Sequence, residues 1–488
     1  MNTVLRARGT ALGVLSATML MTVLDGSIVT VALPAIQHDL GFSATGLSWT
    51  VNAYLIAFGG LLLLAGRLGD LVGRKTMFLA GNVVFTAASL LAGAATGPAV
   101  LIAARFLQGV GSAMAAAVVL GILVTLYTGP AERARAIGIF SFTGAAGASV
   151  GQVLGGVLTD ALNWHWIFLI NLPIGIVTIL LALPALPRDR GTGLAAGADV
   201  AGALLVTSGL MLGIYTVVKI EQYGVASAHT LGLGALALAL LAGFFVRQAK
   251  ARTPLMPLRV LRSRTASGAY AVEILAFSGM FSFQVMGALY MQKVLGYGAL
   301  ETGLAMLPAA VAIGTISLFG YARLARRFGE RAVLLTGLVM LAAALALLVR
   351  VPVHAAYAAD LLPPMLLIAG GGLVMPALTG LAMSGARPED AGLASGLFNT
   401  AQQIGMALGV AVLSTLAAAR TDALLAAGDT AATALTGGYR LAFGAGAALL
   451  AAAFAVAVLV LRTQKAAPDA PADAAGTDAE PSAPSLTL

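Results

Sequence analysis

Leu24-Asp25-Gly26-Ser27-Ile28-Val29 places a carboxylate well inside the first long apolar segment of the chain. About fourteen mostly apolar residues precede Asp25 and about nine follow it. As a helix crossing a bilayer, this segment holds Asp25 far from either water phase. An ionised carboxylate at such a depth is costly. It calls for a neutral form or a partner, and by default it marks a functional site. The plainer reading is a carboxylate hydrogen-bonded to a neighbouring helix and doing nothing more.

Working outward, composition supports the membrane reading. Of 488 residues 59% are apolar and only 10% charged, and the mean hydropathy is +0.94. Soluble domains carry about 25% charge. The expected class is an all-α polytopic membrane protein. Its 59 glycines suit helices that pack backbone to backbone in lipid. The absence of cysteine excludes disulfides, zinc thiolate sites and thiol catalysis. Four scattered histidines predict no metal site, and no cofactor is expected. The net charge of +8 lies in short gaps between apolar runs, which is a topology signal rather than a nucleic-acid patch. Arg6 and Arg8 precede an apolar run reaching about residue 36, longer than the core of a signal peptide.

Fourteen segments are long enough to span, near 10–36, 46–68, 77–96, 98–126, 134–160, 165–187, 198–219, 230–247, 266–293, 300–324, 331–350, 357–384, 391–418 and 438–461. With the amino terminus inside, the inner loops and termini hold 22 Lys and Arg and the outer loops 5, with Arg105 left in a span. This bias predicts a cytoplasmic-membrane protein with both termini inside. The expected organisation is a six-helix bundle over 1–190, two additional spans over 191–264, a second six-helix bundle over 265–465 and a disordered tail over 466–488. A weak repeat supports two related halves. Gly66-Arg67-Leu68-Gly69-Asp70-Leu71-Val72-Gly73-Arg74-Lys75 follows the second span, and Ala322-Arg323-Leu324-Ala325-Arg326-Arg327-Phe328-Gly329-Glu330-Arg331 follows the tenth. Such duplication is a transporter architecture with its substrate site between the halves.

Three motifs sharpen this. In the first, Gly66, Gly69 and Gly73 allow close approach and a tight turn, while Asp70 and Arg74 are four apart and can pair. The second is Leu101-Ile102-Ala103-Ala104-Arg105-Phe106-Leu107-Gln108-Gly109 in the fourth span. Arg105 and Gln108 share a face, and a guanidinium at this depth must meet a carboxylate, carbonyls or water. Asp25 lies roughly 21 Å from the inner end of its span and Arg105 about 20 Å from the inner face. The two can be level, so an Asp25–Arg105 pair or a water-linked network between them is expected. In the third, Gly147, Gly151 and Gly155 form a flat stripe, followed by Gly156.

The first stretch resembles the signature loop of the major facilitator superfamily, a conformational latch between halves. The second resembles that superfamily's fourth-helix motif, linked there to proton transfer. The third resembles the antiporter motif of its exporters, with Gln152 where proline is usual. Leu24 to Pro34 and Asn163 to Gly175 resemble the first span and the entry to the sixth in the fourteen-span drug:proton antiporters. The resemblance is dense over spans one to six and loose beyond. It implies a major facilitator fold with two central extra spans. It also implies proton-coupled efflux of drugs or antibiotics by alternating access, with a lipophilic or cationic small molecule, protons and lipid as partners.

Glu273, about seven residues into the ninth span, is a second candidate protonation or cation site, or else an inner-edge charge paired with Arg262 or Arg264. Asn52, Tyr54, Gln108, Gln284, Asn399 and Gln402 are candidates to line a cavity, or to hydrogen-bond within the bundle. Glu389 and Asp390 are expected to cap the thirteenth span. No nucleotide-binding loop is present, so the energy source is an ion gradient. The alternatives are a dedicated exporter or importer of one metabolite, and a membrane-embedded sensor or enzyme. The loops are too short to house the latter's soluble module.

Overall fold

The computed structural model describes residues 2–42, 44–47, 49–189, 191, 193, 199–224, 226–251, 254–256, 258–384 and 390–461. The expected tail over 466–488 lies outside them, as does Glu389. Among the described residues there is no strand.

Fourteen long helices carry the fold: α1 Asn2–Leu40, α2 Trp49–Val72, α3 Arg74–Gly93, α4 Pro98–Leu126, α5 Pro130–Ala161, α6 Asn171–Ala185, α7 Val200–Tyr223, α8 Ala228–Lys250, α9 Arg264–Lys293, α10 Ala299–Thr315, α11 Glu330–Leu348, α12 Gly371–Met383, α13 Ala391–Ala426 and α14 Ala431–Val460. Among the described residues, thirteen helical stretches are apolar and long enough to cross a membrane. The remaining expected span lies in α5, whose 32 residues reach about 48 Å.

Two helices reach their full span through altered turns. After α10 a π turn over Ile316–Gly320 leads into Tyr321–Phe328, and α12 is preceded by a π turn, a short helix and a 3-10 turn. Pro363 and Pro364 lie in that second stretch. They lack the N–H a regular ladder needs, so the turns there adjust.

The first set packs α3 on α4, α1 on α5, α2 on α4 and α6 on both α1 and α3. The second packs α14 on α9, α11 and α13, with α9 also on α13. The two sets meet where α13 lies on α2 and α4, and where α5 lies on α10 and α12. The seams α2–α13 and α5–α10 occupy equivalent places in the two halves, as the repeat in the sequence requires. The repeat also appears in the backbone. Gly73 (φ 99°) and Gly329 (φ 81°) both turn left-handed immediately before α3 and α11, a conformation in which a Cβ is strained.

The pair α7–α8 packs on α2 and α13 through α7. Asp199 fastens the end where α7 begins and α8 finishes: the Gly202 amide donates to Oδ1 at 2.9 Å, Arg247 Nε to the same oxygen at 2.6 Å and Gln248 Nε2 to Oδ2 at 2.8 Å. Gln248 Oε1 in turn accepts from the Met256 amide at 2.9 Å, seating the buried Leu255 and Met256 against Leu63 and Leu393. Burial works against the Asp199 charge, but these hydrogen bonds outweigh it and hold the carboxyl below its ordinary value of 3.8. A depressed folded-state pKa stabilises at pH above the unfolded value and loses that contribution as pH falls through the folded one. Asp199→Asn keeps a capping oxygen but weakens the charge-assisted bond from Arg247, and should lower thermal stability by about 1–2 kcal/mol. The deficit against wild type should stay constant from about pH 5 to 8 and shrink only below about pH 4. Unfolding scans across that range check it, and a deficit that changes between pH 6 and 8 would contradict it.

Candidate functional site

The Gly147, Gly151 and Gly155 stripe of α5 faces α1 around Asp25. A Cβ at Gly151 would stand 2.9 Å from the Leu24 carbonyl oxygen and the Ser27 Cβ, and one at Gly155 3.0 Å from Ile28. Only glycine permits that approach, so the stripe sets where α1 lies. A Cβ at Gly156 would meet nothing within 4 Å, so this glycine is not required for the contact. The Gln152 side chain is outside the described part.

Asp25 is wholly buried, and so, at 1% exposure, is Arg105. Arg105 Nη1 donates to Asp25 Oδ2 at 2.5 Å. Gln108 Nε2 and Asn171 Nδ2 donate to Asp25 Oδ1 at 3.1 and 2.9 Å. Arg105 also donates to the Thr50 carbonyl at 2.9 Å and to Gln108 Oε1 at 2.8 Å, and Gln108 reaches Ser89 Oγ at 2.8 Å. The guanidinium lies 4.5 Å from the Tyr54 ring centroid and 5.9 Å from that of Phe168. Tyr54 in turn donates to Ser112 Oγ at 3.1 Å. One network thus joins α1, α2, α3, α4 and α6. A buried ion pair offsets its desolvation only with such geometry and extra hydrogen bonds.

The pairing of Asp25, Arg105 and Gln108 follows the level and spacing read from the sequence. Asn171 and Ser89 do not. Their one signal was a polar side chain inside an apolar run, which usually means no more than bundle hydrogen bonding.

The second cluster spans the two halves. Asp70 accepts from Arg74 Nε and Nη2 at 3.0 and 2.9 Å. The same carboxylate accepts from the amides of Gly392 at 2.9 Å and Leu393 at 2.8 Å, the first turn of α13. The free N–H groups of a helix start are a ready site for an anion. This corrects the expectation for Asp390, whereas Glu389 lies outside the described residues. Asp390 stands at the cap position without a side-chain cap bond and pairs instead with Arg259 at 2.9 Å. A carboxylate 322 residues away does the capping.

Close packing makes this reach possible. A Cβ at Gly66 would stand 2.6 Å from the Gly392 carbonyl oxygen, and one at Gly396 2.8 Å from that of Leu62. On the other seam Ser317 Oγ donates to the Gly138 carbonyl at 3.1 Å and Gly314 lies against the Phe142 ring. All these contacts lie toward the end where α2, α4 and α10 finish and α5 and α13 begin.

The remaining candidates are spread out. Asn52 is buried in α2. Asn399 donates to the Ser395 carbonyl of its own helix at 2.9 Å and to that of Ala116 in α4 at 3.4 Å. Gln402 meets Glu273, whereas Gln284 is exposed on α9. Neither basic residue expected as an inner-edge partner pairs with Glu273 among the described residues. Arg264 donates to the Leu459 carbonyl instead. No metal-binding cluster occurs among them either.

The Major Facilitator Superfamily model matches residues 15–410. The chain belongs to the major facilitator superfamily. Among superfamily relatives, the puromycin resistance protein pur8 of Streptomyces alboniger is 38% identical over 478 residues, covering 96% of this chain and 94% of that one. The cephamycin export protein CmcT of Amycolatopsis lactamdurans is 38% identical over 85% of this chain and 86% of its own. The multidrug transporter protein MdtP of Bacillus subtilis is 30% identical over 83% and 75%. The crystal structure of the human organic anion transporter MFSD10 superposes with a TM-score of 0.65 at 16% identity, over 92% of this chain and 99% of that one, which shows the shared fold. This superfamily member is a multi-pass transporter and not an enzyme.

Proposed function

We propose that the chain exports drugs or antibiotics across the cytoplasmic membrane by exchange for protons, with both termini inside. The bundles 1–190 and 265–465 would rock about a central site, and the seams at Asp70 and Ser317 would be the closed inner gate. The observation that carries this is the Asp25–Arg105 pair: a charged couple held out of water inside a transporter. Its separation or protonation changes the local charge, and a proton crossing 100 mV releases about 2.3 kcal/mol. Competition of cargo or its cation with the proton at Asp25, tuned by Arg105, makes exchange obligatory. The names of relatives such as pur8, CmcT and MdtP support export as the direction.

A second reading, a dedicated exporter of one natural product, is favoured by the single antibiotics in the names of pur8 and CmcT. Expression in an efflux-deficient host separates the two. A several-fold rise in resistance to many cationic dyes and antibiotics, lost with a proton uncoupler, is expected. Resistance to one compound alone selects the second reading. No resistance to any, or resistance indifferent to the uncoupler, rejects proton-driven export.

A further inference from the structure

The second half holds an acid that the Asp25 network does not touch. Glu273 on α9 has 0% exposure. Its Oε1 accepts one long hydrogen bond, from Gln402 Nε2 of α13 at 3.5 Å, and its Oε2 has no partner. No Lys, Arg or His pairs with it among the described residues. Of the helices packed on α9, α12 carries no ionisable side chain, α13 none before Arg420 and α14 none beyond Arg440; the short helix Arg259–Arg262, α10 and α11 carry Arg259, Arg262, Glu301, Glu330 and Arg331, and none of these pairs with Glu273 among the described residues. On α9 itself the neighbouring titratable group is Tyr270, one turn earlier, whose hydroxyl is also buried without a partner. Asp25 is the opposite case, a carboxylate answered by Arg105 and two amides.

The partner that Glu273 does have is informative. A carboxylate only accepts, and it is matched by cations and N–H groups. A carboxylic acid both donates and accepts, as does the carboxamide of Gln402. With no cation paired to it among the described residues, and α9 and α13 in close contact just beyond it, a proton is the smallest ion that can change the charge here. The contact is tight: a Cβ at Gly405 would stand 2.6 Å from the Ile274 carbonyl oxygen, and one at Gly409 2.6 Å from that of Ser278.

We infer that Glu273 is a second proton-binding site, loaded and emptied separately from Asp25. This rests on the reading of the chain as a proton-coupled transporter and extends it to one acid in each half. An ion at Glu273 must recruit water or donors, and α9 and α13 must part to admit them. The helix so displaced, α13, is the one whose first turn is held by Asp70. Loss of this proton would therefore act directly on the latch between halves.

Infrared difference spectra of the purified full-length protein in nanodiscs, taken against pH, test this without any cargo. A protonated-carboxyl C=O band equivalent to one group per chain is expected in wild type and in Asp25→Asn, and absent from Glu273→Gln. That variant keeps the shape of the neutral acid and is expected to fold. Gln402→Ala should shift both the position and the pH midpoint of the same band. Superimposable spectra for wild type and Glu273→Gln, or an unmoved band in Gln402→Ala, overturn the site. Uncoupler-sensitive export in a chain with such spectra leaves the efflux reading standing while this one falls. The band in a chain that exports nothing has the converse meaning.

Discussion

Arg105→Ala should abolish uncoupler-sensitive efflux from energised vesicles and destabilise the protein by about 3–5 kcal/mol, because it leaves the Asp25 carboxylate buried without its cation. Asp25→Asn should also abolish proton-driven efflux, leaving the guanidinium with the Gln108 amide oxygen and the Thr50 carbonyl. The informative variant is the double one. Asp25→Leu with Arg105→Met removes both charges, and apolar replacement of a whole buried pair is commonly neutral or stabilising. Thermal stability should return close to wild type while proton-driven efflux stays lost. Efflux near the wild-type rate in both single variants would remove these residues from the coupling mechanism. Loss of efflux together with full stability in Arg105→Ala would contradict the energetic account.

Asp70→Asn should open the seam between α2 and α13. The carboxylate makes charge-assisted hydrogen bonds to Arg74 and to the first turn of α13 at once. Weakening it should cost the closed arrangement about 2–3 kcal/mol, a roughly 30- to 150-fold shift toward the open one. The chain has no cysteine, so one introduced by Ala391→Cys reports alone. Ala391 is 3% exposed at the start of α13. Its labelling by a membrane-impermeant maleimide, applied to inside-out vesicles, should accelerate by that factor in the Asp70→Asn background. An unchanged labelling rate would show that the seam is held by packing alone.

The second half departs from this arrangement in a way the aligned repeats make plain. The places of Asp70 and Arg74 are taken by Arg326 and Glu330, with the signs reversed. Arg326 Nε turns back to the Ala322 carbonyl at 3.3 Å and caps no helix of the first half among the described contacts. The seam there rests on Ser317, Gly138, Gly314 and Phe142. One seam is thus closed by an ion pair that also caps a helix, the other by packing with Arg133 of α5 facing the half-buried Glu330 across it, and they should respond differently to charge changes there.

Much of the molecule was legible from spacing and cost alone. Apolar run length placed the helices, since lipid admits few ways to satisfy a backbone. The partnership of Asp25 and Arg105 was legible for the same reason: two ions at one depth in hydrocarbon must find each other. Periodicity on one helix also foretold that Gln108 would join Arg105 and that Gly147, Gly151 and Gly155 would form a packing face.

Tertiary structure alone decided what lies across each helix gap. It brought Asn171 and Ser89 to the ion pair, turned Asp390 to Arg259, lent Asp70 to the first turn of α13, and left Glu273 with only Gln402. The physical reason is range. Residues three or four apart share a face through local geometry. A contact between α2 and α13 depends on how whole helices pack, and no local spacing carries that information.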